Sequence, residues 1–255
     1  MQLAIKRILF FIGLFALWEL AIWIFSIPPV ILPSPTTVFS SLFESLADGS
    51  LLKDLRASFS RLLIGLSIAL IIGVLLGILL AKFKTADETL GSLILALQSI
   101  PSIVWLPLAI MWFGLNEKAV IFIVVLGGTI VMTINMRTGI KNVQPLYTKA
   151  AQTMGSTGID LFFRVILPAS VPYAVTGTRL AWAFAWRALM AGELLSSGPG
   201  LGYTLKYASD FGRMDMVMAI MVVIGVIGVT VDILIFQRIE KKVMIKWGLE
   251  QKEAA

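Results

Sequence analysis

Six mostly apolar stretches, at 8–27, 62–81, 89–113, 119–136, 170–195 and 216–236, alternate with short polar segments along the chain. A helix needs about 20 predominantly apolar residues, with a range of about 17–25, to cross the hydrocarbon of a bilayer. Each stretch therefore predicts one spanning helix, and the whole an all-α integral membrane protein of six transmembrane helices in one domain, 1–255. The first stretch is expected to stay as a span rather than be removed as a signal peptide. Its apolar run is too long, contains Glu19 and has no small-residue cleavage site.

The polar segments differ in charge. If the N-terminus is cytoplasmic, that side holds Lys6, Arg7, Lys82, Lys84, Arg137, Lys141, Lys149, Arg164, Arg238, Lys241, Lys242, Lys246 and Lys252. The opposite side holds Lys53, Arg56, Arg61, Lys118, Lys206 and Arg213, and Arg179 and Arg187 fall inside the fifth stretch. Basic residues favour the cytoplasmic side of membrane proteins, so both termini are expected there, in a multi-pass protein.

That orientation makes the 145–168 segment, between spans four and five, a cytoplasmic loop. Pro145 suits a first helical turn, and 146–154 reads as a short helix with Leu146, Ala150, Ala151 and Met154 at three- and four-residue spacing. Gly155 is placed to end it in a left-handed cap. Gly158 and Asp160 open a second short helix over 161–167, expected to stop before Pro168. So short a helix is marginal alone in water, and small Ala150 and Ala151 leave little to bury, so a partner's groove is expected to receive it. On the other side, 36–46 predicts an amphipathic helix along the outer surface, with Val38, Leu42 and Phe43 on one side and Leu46 continuing it.

Composition agrees with a membrane setting: apolar residues are 58%, charged residues 14% and the mean hydropathy is +0.92. The net charge of +6 does not indicate nucleic acid, because the basic residues sit between apolar runs instead of clustering on one face. The chain has no Cys and no His. That removes thiolate chemistry and the commonest metal ligand and general base, and no metal or cofactor is expected. An intramembrane enzyme would be left with a Ser–Lys or carboxylate pair, and no Lys lies near the centre of a span. Nor is there a G-x-x-x-x-G-K-[ST] phosphate cradle, so ATP, if used, is bound by another chain.

Lys149-Ala150-Ala151, with Gly155 four residues on and Val165-x-Leu167-Pro168 beyond, resembles the E-A-A-x3-G-x9-I-x-L-P signature of the membrane subunits of bacterial ABC importers. Lys149 reverses the charge of the usual Glu, and Val165 replaces Ile. Trp18-Glu19-Leu20, Leu32-Pro33-Ser34-Pro35, Ile100-Pro101-Ser102, Trp105-Leu106-Pro107-Leu108, Trp112-Phe113-Gly114 and Gly200-Leu201-Gly202 resemble the nitrate/sulfonate/taurine branch of these permeases, and together they cover nearly the whole chain. The resemblance implies the type I importer permease fold in a bacterial inner membrane. It implies a coupling helix at Lys149, Ala150, Ala151, Gly155, Leu167 and Pro168 that docks in a cytoplasmic ATPase subunit. It also implies two permease copies, two ATPase subunits and an extracytoplasmic binding protein. The branch favours a small anion such as an aliphatic sulfonate, taurine or nitrate; related permeases carry bicarbonate or pyrimidine vitamin precursors.

Embedded polar residues are candidates for the pathway, because charge at membrane depth is costly and faces the bundle interior or a water-filled cavity. Arg179 and Arg187 lie about 80° apart around a helix, and Glu193 about 120° from Arg187. One face of span five would thus present positive charge to an anion. The alternative is that Arg179 reaches the cytoplasmic headgroups and Arg187 pairs with Glu193 or Glu19. In span three, Pro101 and Pro107 predict kinks that free carbonyls, and with Gln98, Ser99 and Ser102 they form either a pathway-lining bend or a packing kink. Asn135 either lines the exit or caps span four. Gly73 and Gly77 permit close helix contact, read as internal packing. A non-conducting scaffold for an ATPase would gain nothing from buried Arg179, Arg187 and Glu193.

Overall fold

A computed structural model describes residues 2–249, without the side chains of residues 2–5, 7, 8 and 11. Lys252, counted above among the cytoplasmic cations, lies outside the described residues. These are helical or irregular throughout, with no strand among them. The helices are α1 Gln2–Phe25, α2 Pro35–Ala47, α3 Ser50–Lys82, α4 Lys84–Gln98, α5 Ser102–Phe113, α6 Glu117–Lys141, α7 Pro145–Thr153, α8 Gly158–Ala169, α9 Val171–Glu193, α10 Leu201–Asp210 and α11 Met214–Lys246. Among the described residues α3, α6 and α11 are single helices long and apolar enough to cross a membrane. The α4/α5 and α8/α9 pairs qualify only if each bent pair is one span, and α1 contributes the shorter apolar segment Ile12–Phe25.

Three expectations change. Span three is not a kinked helix but two helices meeting at 96°. Pro101, which has no N–H to donate, sits in extended geometry in the break, while Pro107 occupies the first turn of the α-helical part of α5, where a missing donor costs nothing. The helix before Pro168 does not stop there. Phe162–Ile166 forms a wider turn in which the Leu167 N–H donates to the Phe162 carbonyl, leaving room for the proline ring, and α8 runs on to Ala169 before a 55° bend into α9. Finally, α3 begins at Ser50 rather than near residue 62, so Arg61, counted above outside the spans, is a buried helical residue, as are Asp54 and Ser58.

The described chain divides into two compact units, Met1–Ser58 with Glu193–Val226 and Phe59–Gly192 with Ile227–Ala255. In the first, α2 is capped by Ser34, whose Oγ accepts from the Thr37 N–H at 3.3 Å. Its inward face is not the predicted stripe. Val38, Ser41 and Ser45 are buried while Phe43 is 68% exposed. The serine hydroxyls explain this: Ser41 donates to Asp215 at 2.5 Å and Ser45 to its own helix at the Ser41 carbonyl, 2.7 Å. In the same unit two acidic side chains hold the glycine-rich 198–202 turn. Asp54 accepts from the Gly200 N–H at 3.1 Å and from the Thr204 hydroxyl at 2.5 Å. Glu193, 0% exposed, accepts from Ser58 at 2.8 Å and from the Gly202 N–H at 3.0 Å.

The second unit is organised around α6. A Cβ on Gly65, Gly73 or Gly77 of α3 would fall 2.6 Å from a side-chain carbon of Val124, Met132 or Met136, and Ala69 fills the same row against Gly128. This four-residue ridge brings α3 against α6, so the Gly73/Gly77 pair is internal packing, as its spacing suggested. On another side α6 packs antiparallel to α9, with Gly127 against Ala188, Gly177 against Asn135 and Gly139 against Tyr173. Toward the N-terminal end of α3, Arg61 is 2% exposed and donates to Glu117 at 2.8 Å, because a cation that deep needs a partner.

Candidate functional site

The break between α4 and α5 places Gln98, Pro101 and Ser102 beside the α6 residues Leu126, Gly127, Ile130 and Val131 and the α9 residues Phe184, Arg187 and Ala188. Together these line a cavity of about 310 Å³. Gly127 permits the close approach of α9 that puts Arg187 at this wall. The Arg187 guanidinium lies 4.9 Å from the Phe184 ring centroid, and its Nε donates to the Ala183 carbonyl at 3.1 Å. Stacking of this kind steadies the cation without neutralising it. Among the described residues Arg187 has no ion pair, and it is the only charged side chain lining the cavity.

Arg179 takes the opposite role. Its Nε and Nη2 hold both Asp232 oxygens at 2.8 Å, Nη1 donates to Glu240 at 2.6 Å, and Thr176 adds a 2.6 Å bond to Glu240. The expected two-arginine positive face on span five is therefore reduced to Arg187, because α11 supplies Asp232 and Glu240 to the other guanidinium. Glu193 is likewise withdrawn, its carboxylate being engaged by Ser58 and Gly202. Of the residues predicted around the break, Gln98 and Pro101 line the cavity with Arg187, whereas Ser99 does not and ends α4 instead. Asn135 donates to the Val131 carbonyl at 2.8 Å and lines a second cavity of about 440 Å³.

The 145–168 segment forms its own surface. Pro145 begins α7, and Gly155, at φ +90°, ends it as expected, with the Gly155 N–H on the Gln152 carbonyl and the Ser156 N–H on the Ala151 carbonyl, both at 3.0 Å. No residue of α7 is buried. Leu146 is 69% and Met154 87% exposed, Ile159 and Phe163 of α8 are exposed beside them in sequence, and Lys149 and Ala150 stand open to solvent. These side chains leave an apolar row on and beside a short helix open to solvent. Leu167 and Pro168 are instead half-buried in the last turn of α8, where the Leu167 carbonyl accepts from the Ser170 hydroxyl at 2.8 Å.

These features define a helical protein with helices apolar and long enough to cross a membrane, a cavity with one unpaired cation in its wall and a separate, exposed short helix. Residues 69–244 match the family described as binding-protein-dependent transport system inner membrane components, and the chain belongs to that family. It is 34% identical over 237 residues to a protein described as the aliphatic sulfonates transport permease SsuC of Escherichia coli, covering 93% of this chain and 89% of the relative. It is 29% identical over 212 residues to the taurine transport system permease TauC of the same organism, covering 81% and 77%. In fold it resembles a chain of the inward-facing MetNI methionine ABC transporter, with a TM-score of 0.66, 18% identity and coverage of 76% of this chain and 96% of that one. The chain is thus the inner-membrane permease subunit of an ABC importer, a class that works with an ATPase and a solute-binding protein.

Proposed function

We propose that the importer carries a small anion of the sulfonate type and that the solute passes the Arg187 cavity. The observation that carries this reading is Arg187 itself, the one charged side chain of a largely apolar cavity, unpaired, steadied on Phe184 and accompanied by the Gln98 amide. Unpaired cations at membrane depth serve ligands or ion paths, and similarity to SsuC and TauC supports the same substrate class.

In this reading two copies of the chain form one permease domain each, and the family match supports that unity by crossing residues of both units. Each copy docks one ATPase subunit through Leu146, Lys149, Ala150, Ala151 and Met154, with Gly155 setting the turn and Leu167 and Pro168 holding α8 at its bend. ATP is bound by that subunit, and this chain performs no covalent step. The distribution of Lys and Arg supports cytoplasmic termini and a cytoplasmic α7.

The test is uptake into proteoliposomes holding the permease, its ATPase and its binding protein, with taurine, ethanesulfonate, nitrate and an uncharged pyrimidine as solutes. Anion uptake is expected, and Arg187→Ala is expected to lower it by about tenfold or more, the effect of losing a charge-assisted contact, with the complex still assembled. Unchanged uptake by Arg187→Ala, or uptake of the uncharged solute alone, would overturn the reading.

A further inference from the structure

The six apolar stretches contain five charged side chains, Glu19, Arg179, Arg187, Glu193 and Asp232. Arg179 is paired with Asp232, and Glu193 is engaged by Ser58 and Gly202. That leaves Glu19 and Arg187, which are opposite in sign, and neither has an ion pair among the described residues. A lone charge at membrane depth is costly, and such groups pair or face water.

Both stand on open helix faces. On α1, Ile12, Ala16, Glu19 and Trp23 are spaced by four, three and four, which puts them in one row, and all four are exposed. Within its own unit α1 packs on a neighbouring side, where the Phe15 ring lies 6.0 Å from that of Phe39 on α2. Ala16, beside Glu19 in the open row, is small enough to admit a second helix. On α9, Leu180, Phe184 and Arg187 are spaced by four and three and are likewise exposed, so the cavity that Phe184 and Arg187 line is open along this edge. Glu19 is six residues before Phe25, the last of α1, and Arg187 six before Glu193, the last of α9. Each charge therefore lies about 9 Å in from the end of its helix. In the orientation proposed above the first and fifth stretches both run outward, which sets the two charges at similar depth.

Resting on the proposed function above, we propose that Glu19 of each copy is the counter-ion of Arg187 in the partner copy, and that the solute anion displaces it. Hydrocarbon offers an exposed carboxylate nothing. A second copy related by a two-fold axis makes the contact twice, so no charge in the spans is left over, and α1 of one copy covers the open edge of the other's cavity. An arriving anion takes the guanidinium from the Glu19 carboxylate, and the carboxylate returns as the anion leaves. Glu19 thereby keeps the lone cation from trapping its cargo. A pair that opens in every transport cycle contributes little to stability, so the unfolding midpoint does not report it.

The test is a double-mutant cycle in the full importer in proteoliposomes, with ethanesulfonate as solute. Glu19→Gln is expected to slow turnover of uptake by about tenfold, because the anion must leave Arg187 unassisted. In the Arg187→Ala background the same change is expected to alter turnover by less than about twofold, since the cation on which Glu19 acts is gone. The chain's lack of cysteine supplies a second arm. A copy carrying Glu19→Cys and a differently tagged copy carrying Arg187→Cys are co-expressed with the ATPase and treated with a bis-methanethiosulfonate reagent, whose spacer replaces the reach of the two longer side chains. A cross-link joining the two tags is expected. Unchanged turnover in Glu19→Gln, equal effects in the two backgrounds, or no cross-link between labelled copies would overturn the pairing while leaving the Arg187 reading intact. A failure of Arg187→Ala to alter uptake overturns the reading beneath it. Gln removes a charge from an apolar helix and so does not burden assembly, and the cycle alone decides if the cysteine copies do not assemble.

Discussion

Arg179 holds Asp232 in a two-pronged contact, with Nε and Nη2 each 2.8 Å from a different carboxylate oxygen, while Arg187, two helical turns further along α9, has no ion pair among the described residues. The two arginines are therefore expected to separate in experiment. Arg179→Ala leaves Asp232 and Glu240 without their cation and should destabilise the permease by about 1–3 kcal/mol, less than the 3–5 kcal/mol of a fully buried pair because the site is partly open. Arg179→Lys is expected to restore little, since an ammonium cannot make the fork contact. Thermal unfolding in detergent reads both, and Arg187→Ala should leave the midpoint where it is.

The α3–α6 seam gives a second expectation. A Cβ at Gly73 would meet the Met132 Cβ at 2.6 Å, and one at Gly77 the Met136 Cβ at the same distance. Overpacking of this kind costs about 1–3 kcal/mol, so Gly73→Ala and Gly77→Ala should each lower the unfolding midpoint. Gly225, with nothing within 4 Å, is the control, and Gly225→Ala is expected to be neutral.

On the proposed coupling face the outcome should appear in activity and not in stability. Met154→Asp and Leu146→Asp alter side chains that bury almost nothing in this chain, so folding should be unchanged. A carboxylate placed in an apolar groove without a partner is strongly disfavoured. ATPase stimulation by the loaded binding protein is expected to fall at least about tenfold. Gly155 tests something different, because a Cβ there meets open space but φ is +90°. Gly155→Val should disturb α7 through backbone strain, and Gly155→Asn, which tolerates left-handed geometry better, should disturb it less; coupled uptake ranks the two.

Gly200 tests the buried carboxylates of the first unit. A Cβ there would lie 2.6 Å from a Glu193 carboxylate oxygen, so Gly200→Ala must displace that group from Ser58 and Gly202. Faster proteolysis of the 196–202 segment at an unchanged rate elsewhere is the expected result.

Several of these features were legible beforehand. Gly73 and Gly77 announced a close helix contact by spacing alone, and Pro145 and Gly155 bounded α7 because proline fixes φ at a first turn while glycine accepts the left-handed cap. The roles of Arg179 and Arg187 were not separable, since both are arginines on one helix and the partners of Arg179 lie 53 and 61 residues away. Arg61 was counted in a segment outside the spans because the apolar run begins only at residue 62, whereas the helix begins at Ser50. Asp54, Ser58 and Arg61 are helical and buried because Gly200 and Thr204, Glu193, and Glu117 supply their respective partners from distant parts of the chain.

The amino-acid sequence by itself determined the medium, the all-helical class and the short helix set between two apolar stretches. These follow from apolar run length and local backbone preferences, neither of which requires a distant contact. Only the tertiary structure decided that span three breaks by 96° instead of kinking, that Arg179 is paired while Arg187 has no ion pair among the described residues, and that α6 and α9 line two cavities. The physical reason is that a charge buried in a membrane protein takes its function from the partner it finds, and that partner is chosen by packing between helices far apart in the chain.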